Sequence, residues 1–192
     1  MSSVVISGDT SGSVTLQAPA IAGSSVQTLV SGTGTLAPIV SGTAVTASGT
    51  AIDFTGIPSW VKRVTVMFGN ISGSGTGTFQ IVLNSEVTGY TSSAGRVTPV
   101  NFSAGAASTT AWIVTAGNAA ASTYSGVATI SLLNPSTNQY SICGNMLDNS
   151  GGGNLSFFTG TKTTTAVLST VRVTTSTGTD TFDAGTINII YE

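Results

Sequence analysis

The chain has 192 residues, enough for one sizeable core, yet only 6 % of them are charged, with a net charge of -2 and a pI near 4.7. That balance offers no basic surface for the phosphate contacts that dominate nucleic-acid affinity, and no apolar run approaches the roughly 20 residues of a membrane helix, so neither nucleic acid nor membrane insertion is expected. Thr, Ser and Gly supply 33, 27 and 24 residues. Thr is β-branched, Ser competes for backbone hydrogen bonds and Gly is entropically costly in a helix, so an all-β chain is predicted. Disorder fits poorly with a sequence that is 40 % hydrophobic and nearly uncharged.

In chain order, "MSSVVISGD" lacks both a basic start and a following apolar block, so no secretory signal is read. Residues 1–50 contain no aromatic residue and a single charge, Asp9, and carry "SGT" at 31, 41 and 48 without a fixed repeat. "VVIS", "SVTLQ" and "VQTLV" alternate as short strands do, with turns at each Gly. So thin an apolar stripe cannot close a core alone, because burial at about 25 cal/mol per Å² must offset roughly 1 to 2 kcal/mol of ordering entropy per residue. It is expected to lie against the rest of the chain, a symmetry copy or a larger assembly. Residues 1–50 are therefore read as an extended Ser/Thr/Gly-rich β segment, and residues 51–192 as the folded domain.

Three of the twelve charges fall in "IDFTGIPSWVKRVTVMF", residues 52–68. Ile52 and Phe54 share one strand face, and Val64, Val66 and Phe68 share another, the period of two expected of half-buried strands. A tight hairpin would put these two apolar sets out of register. A corner is predicted instead, where Pro58 and the extended Ile57 before it redirect the chain from one sheet to another and Trp60 plugs the bend. Asp53, Lys62 and Arg63 then flank a sheet edge, with Asp53 neutralised by Lys62 or Arg63.

Beyond the corner, strands are predicted at 64–68, 78–84, 96–102, 111–115, 126–133, 140–147, 154–158, 166–175 and 185–192, separated by "SGSGTG", "SSAG", "NPST" and "DNSGGGN" turn chemistry. Eight to ten short strands at that spacing describe an antiparallel β-sandwich, jelly-roll-like in plan.

Few residues suggest chemistry. With no His and only Cys143, His-based triads and ordinary zinc sites are absent, and Cys143 is read as a small buried apolar residue. Paired carboxylates for glycoside hydrolysis must come from Asp53, Glu86, Asp148, Asp180 and Asp183, of which Asp180 and Asp183 in "GTDTFDAG" are nearest but fit a turn. "GSGTG" at 73–77 lacks the Lys and helix of a phosphate loop, and "DNSGGGN" at 148–154 has one carboxylate, short of a calcium ligand set. No catalytic residue, metal or cofactor is expected. Tyr90, Trp112 and Tyr124 are the candidates for stacking on a sugar ring, with core packing the plainer role for Trp112 inside "AWIVT" and Tyr90 the better surface candidate.

"GTAIDFTGIPSWVKRVTVMF" (49–68), followed by a Gly/Ser loop and a closing "FDAGTINIIYE", resembles modules of tail fibres and virion accessory proteins of tailed bacteriophages. "ISGDTSGSVTLQAPAIAG" (6–23) resembles their lead-in segments, and together these stretches cover about a third of the chain. The resemblance implies a non-enzymatic, multi-copy virion surface component, with residues 1–50 attaching it to other virion proteins or trimerising it. The chain is far too short for the β-helix of large depolymerase tailspikes. A tail fibre or receptor-binding protein for host attachment, contacting a host surface glycan, is the leading expectation. A capsid decoration or head-fibre protein, and a carbohydrate-binding module from a cellular protein, are the alternatives. A module is expected to be cut from a longer chain, and one beginning at its own Met1 with a lead-in segment favours the virion. The core-poor first 50 residues lead to an expected homotrimer.

Overall fold

A computed structural model describes residues 3–7, 13–17, 38–120, 122–150 and 152–192, which fall into two units, Met1–Leu36 and Ala37–Glu192. In the first unit β1 (Ser3–Ser7) and β2 (Ser13–Gln17) form an antiparallel ribbon with Ser3 opposite Gln17. The strand expected at "VQTLV" lies outside the described residues.

The second unit is two antiparallel sheets. Its strands are β3 (Val40–Ser41), β4 (Val45–Thr46), β5 (Ala51–Thr55), β6 (Arg63–Gly73), β7 (Phe79–Leu83), β8 (Tyr90–Val97), β9 (Phe102–Ser108), β10 (Trp112–Ile113), β11 (Tyr124–Asn134), β12 (Gln139–Asp148), β13 (Leu155–Thr163), β14 (Thr170–Thr175) and β15 (Phe182–Tyr191). The smaller sheet runs β10-β7-β14-β5, and the larger runs β3-β15-β6-β11-β12-β13-β8-β9, with β4 also on β15. The described residues include no helix, so none is long and apolar enough to cross a membrane. The all-β, sandwich-like architecture matches the compositional expectation.

Period-two patterning builds the core. Ile52 and Phe54 of β5, Val64, Val66 and Phe68 of β6, Val171 and Val173 of β14, and Ile187 and Ile189 of β15 are all buried in one cluster, while the residues between them face outward. β7 is buried along its whole length, because β10 and β14 flank it and Phe79, Ile81 and Leu83 fill the interior.

The corner is where the sequence places it. β5 belongs to the smaller sheet and β6 to the larger, and the chain between them turns at Gly56, whose φ of 73° is open to a residue without a Cβ. The Val61 amide donates to the Pro58 carbonyl at 3.1 Å and closes the turn. Ile57 and Val61 plug the bend, not Trp60, which is half-buried against Tyr191 with ring centroids 6.0 Å apart.

Other expectations need correction. Residues 96–102 are not one strand: Pro99 cannot donate to a ladder, and the chain turns between β8 and β9 with the Thr98 amide on the Asn101 carbonyl at 2.8 Å. "SSAG", read as a turn, is the middle of β8. Cys143 is exposed, because it alternates with the buried Ile142 on β12. Residues 40–47, read with the lead-in segment, belong to the second unit: β3 and β4 pair with β15, and Ala47 is buried. Deleting residues 1–36 is therefore expected to leave the main thermal transition within about 2 °C of the full chain, whereas deleting 1–50 strips an edge from β15 and lowers it by roughly 4 °C or more. Calorimetry on the two truncations checks this, and equal transitions would contradict it.

Candidate functional site

The three aromatic candidates are interior. Tyr90 opens β8 with its hydroxyl accepting the Leu83 amide at 2.7 Å, and burial pushes its phenol up to about 12. Trp112 is fully buried and meets Tyr90 edge-on, with ring centroids 5.6 Å apart. Tyr124 packs edge-on to Phe79 at 5.7 Å and donates to the Gly117 carbonyl at 3.3 Å; burial raises its phenol too. None of these rings offers a face to a sugar. Tyr90, the better surface candidate from the sequence, sits in a turn-like composition that the fold uses as a strand start.

The charges also pair differently. Asp53 on β5 lies opposite Arg172 on β14, and the guanidinium grips it with two bonds of 2.7 and 2.8 Å, which hold the carboxyl below its usual range. Arg63 pairs with Glu192, and Lys62 forms no ion pair among the described residues. The corner separates Asp53 on β5 of the smaller sheet from Lys62, just before β6, and Arg63, which opens β6 of the larger one, and the expected pairing does not form.

A pair not expected from the sequence joins the buried Lys162 of β13 to the partly buried Glu86 in the loop after β7, at 2.6 Å. Lys162 is 5 % exposed and also stands 5.2 Å over the Tyr90 ring. Burial works against the Glu86 charge, but Lys162 and both the amide and hydroxyl of Thr165 bond to it and bring its pKa below the ordinary value. Period-two reading alone could have flagged Lys162, since it falls on the inward side of β13 with Ser156 and Phe158.

The remaining carboxylates are occupied by their own loops. Asp148 is opposed by burial, yet the Ser150 amide at 3.0 Å and the Asn154 side chain at 3.2 Å lower its pKa. Asp180 accepts the Gly77 amide at 2.8 Å, so the "GSGTG" backbone holds one of the chain's own anions. Asp183 is an exposed residue of β15, not part of a turn with Asp180. Among the described residues no three of His, Cys, Asp and Glu come together as a metal site. A groove of about 470 Å³ beside Tyr90, Thr91, Ser92 and residues 107–110 has no acid, base or nucleophile beyond hydroxyls; Ser92 and Ser108 already accept the Ile113 and Ala111 amides.

The surface with most character is the outward face of β11, β12, β13, β8 and β9. Leu147, Leu155, Val97 and Phe102 are direct cross-strand partners in one row over four strands. Val127 and Phe157 flank that row, and the Phe157 and Phe102 rings stack at 5.7 Å. All six are exposed, Phe102 to 68 %. The outward positions toward the other end carry Thr129, Cys143, Thr159, Ser93, Ser131, Ser141, Thr161 and Thr91, and none carries a charge. The sequence predicts β11, β12 and the start of β13 as strands but not β8 and β9, and it leaves open which Phe of "NLSFF" faces out. Phe158 is buried and Phe157 is not.

No protein-family model matches the chain, and no curated protein or solved structure matches it.

The Lys162–Glu86 and Asp53–Arg172 pairs differ in burial, so they differ in weight. Lys162→Met removes the cation from the partly buried Glu86 carboxylate, which keeps its Thr165 bonds, and is expected to cost about 2 to 3 kcal/mol in urea unfolding, whereas Asp53→Asn, on a pair more than a third exposed, costs about 0 to 1 kcal/mol. Equal costs would show that burial does not set the scale. Asp53, Glu86 and Asp148 all have folded pKa values below their ordinary 3.8, 4.5 and 3.8. Their contribution is full above those values and is lost as pH falls through the lower folded ones. The thermal midpoint should therefore drop steadily below about pH 4.5. A midpoint constant from pH 5 down to the acid limit would contradict it.

Proposed function

We propose that this chain is a non-enzymatic surface protein of a tailed-bacteriophage virion, a tail fibre or receptor-binding protein that serves host attachment. The observation that carries the reading is the outward face of β11–β12–β13–β8–β9, with six exposed large apolar side chains and no charge. A monomer in solution seldom leaves such a face open, and a repeated assembly covers it. The phage-like stretches at 6–23, 49–68 and 182–192 support the same reading.

A non-enzymatic role is supported by the use of the carboxylates. Asp53, Glu86, Asp148, Asp180 and Glu192 each bind a cation or an amide within the fold. The Met1–Leu36 unit suits attachment to other virion proteins. Contact with a host glycan, where it occurs, uses groups other than Tyr90, Trp112 and Tyr124, whose rings are buried.

Gold-labelled antibodies against the purified protein, applied to virions of the phage that encodes it, are expected to decorate the tail tip, and the free protein is expected to slow adsorption to host cells. Label on the head would replace host attachment by capsid decoration. Intact particles without label would overturn the virion reading.

A further inference from the structure

An antiparallel sheet with one face on the core normally turns polar side chains to water on the other. Here that rule holds over half of the larger sheet's outward face and fails at one end. Leu147, Leu155, Val97 and Phe102 form a continuous row, with Phe157 stacked on Phe102 and Val127 alongside. The row ends on β9, the last strand of the sheet, whose sequence "FSAGAAS" contains neither a charge nor a Pro. Those are the devices by which edge strands usually refuse partners.

We infer that this face is the surface through which copies of the chain pack on one another, with Phe102 and Phe157 anchoring its apolar end. The charge pattern selects the occupant. A second copy presents the same uncharged face, so the two meet without like-charge repulsion and without stripping water from an ion. The Ser and Thr positions beside the apolar row supply uncharged polar partners, so the face combines the apolar and polar parts of a specific interface. Five strands at about 4.8 Å spacing and about seven residues of about 3.3 Å give a face of roughly 20 by 23 Å. Two such faces together bury about 900 Å², the low end of interface sizes, which fits association in the micromolar range rather than a tight complex.

Cys143 provides a native reporter. It is exposed on β12 at an outward position, between Thr129 and Thr159 and two residues from Asn145, the cross-strand partner of Phe157. Association covers its thiol.

The association needs no virion, so its failure and that of the virion reading are separable. The test is sedimentation of the full chain across the micromolar range, together with Phe157→Glu, Phe102→Glu and, on the 164–169 loop, Val167→Glu as a control for an exposed apolar residue elsewhere. The wild-type chain and Val167→Glu are expected to assemble alike. The two face variants, shown folded by circular dichroism, are expected to associate at least tenfold more weakly. In the wild-type chain, alkylation of Cys143 by a maleimide is expected to slow as concentration rises, a readout that stands even if a variant unfolds. A wild-type chain that stays monomeric, face variants that assemble as the wild type does, or a Cys143 rate that ignores assembly would each overturn the inference.

Discussion

The two sheets are joined around Trp112. Its strand, β10, belongs to the smaller sheet, yet its ring reaches the larger one, edge-on to Tyr90 of β8 and beside Gly160 of β13. A Cβ at Gly160 would stand only 2.7 and 2.8 Å from Trp112 Cδ1 and Nε1, so the ring seats where that strand has no side chain. The indole Nε1 has no hydrogen-bond partner among the described residues. Leaving such a donor buried costs about 1 to 3 kcal/mol, but burying an aromatic side chain of 150 to 250 Å² stabilises by roughly 4 to 6, so packing outweighs the missing bond.

Around that ring, the abundant hydroxyls do what a ladder partner would do. The segment after β9 has few strand neighbours, and its amides need acceptors. Ser92 and Ser156, buried in the larger sheet, accept the Ile113 and Ala116 amides at 2.9 and 3.1 Å. Tyr90 and Tyr140 do the same for Leu83 and Leu168, and Thr115 for Phe79. A composition that looks like surface or linker is thus partly an interior device: small hydroxyls satisfy buried backbone without the desolvation of a charge. With the amides met this way, six of the twelve charges are spent on pairs that join distant segments, Asp53 to Arg172, Glu86 to Lys162 and Arg63 to Glu192. The outward face of β11–β12–β13–β8–β9 carries none of the others, and exposed apolar faces of that kind mark interaction surfaces.

The sequence was legible wherever large apolar residues alternated. Ile52 and Phe54, Val64 to Phe68, and Val171 and Val173 identify strands, faces and the sheet-switching corner without structural help. It was opaque where strands are built from small residues, as in "YTSSAGRV" and "FSAGAAS", whose propensity is that of a turn and whose strand character comes from pairing with β13 and with each other. Partners across long sequence separations were equally hidden. Nothing near Asp53 points to Arg172, and nothing in "NSEVTGY" says that Glu86 meets a buried Lys162 or that Tyr90 turns inward.

Trp112 anchors one sheet to the other and presents no face to a ligand, and a chain with only two tryptophans allows a direct test of that role. In Trp60→Phe, the half-buried corner ring is removed and all indole emission comes from Trp112. The emission of the folded protein should then be blue-shifted and almost immune to acrylamide, becoming red-shifted and quenchable only with unfolding. A native spectrum already red-shifted and quenched by acrylamide at the rate of a surface tryptophan would contradict the anchor and the packing built around it.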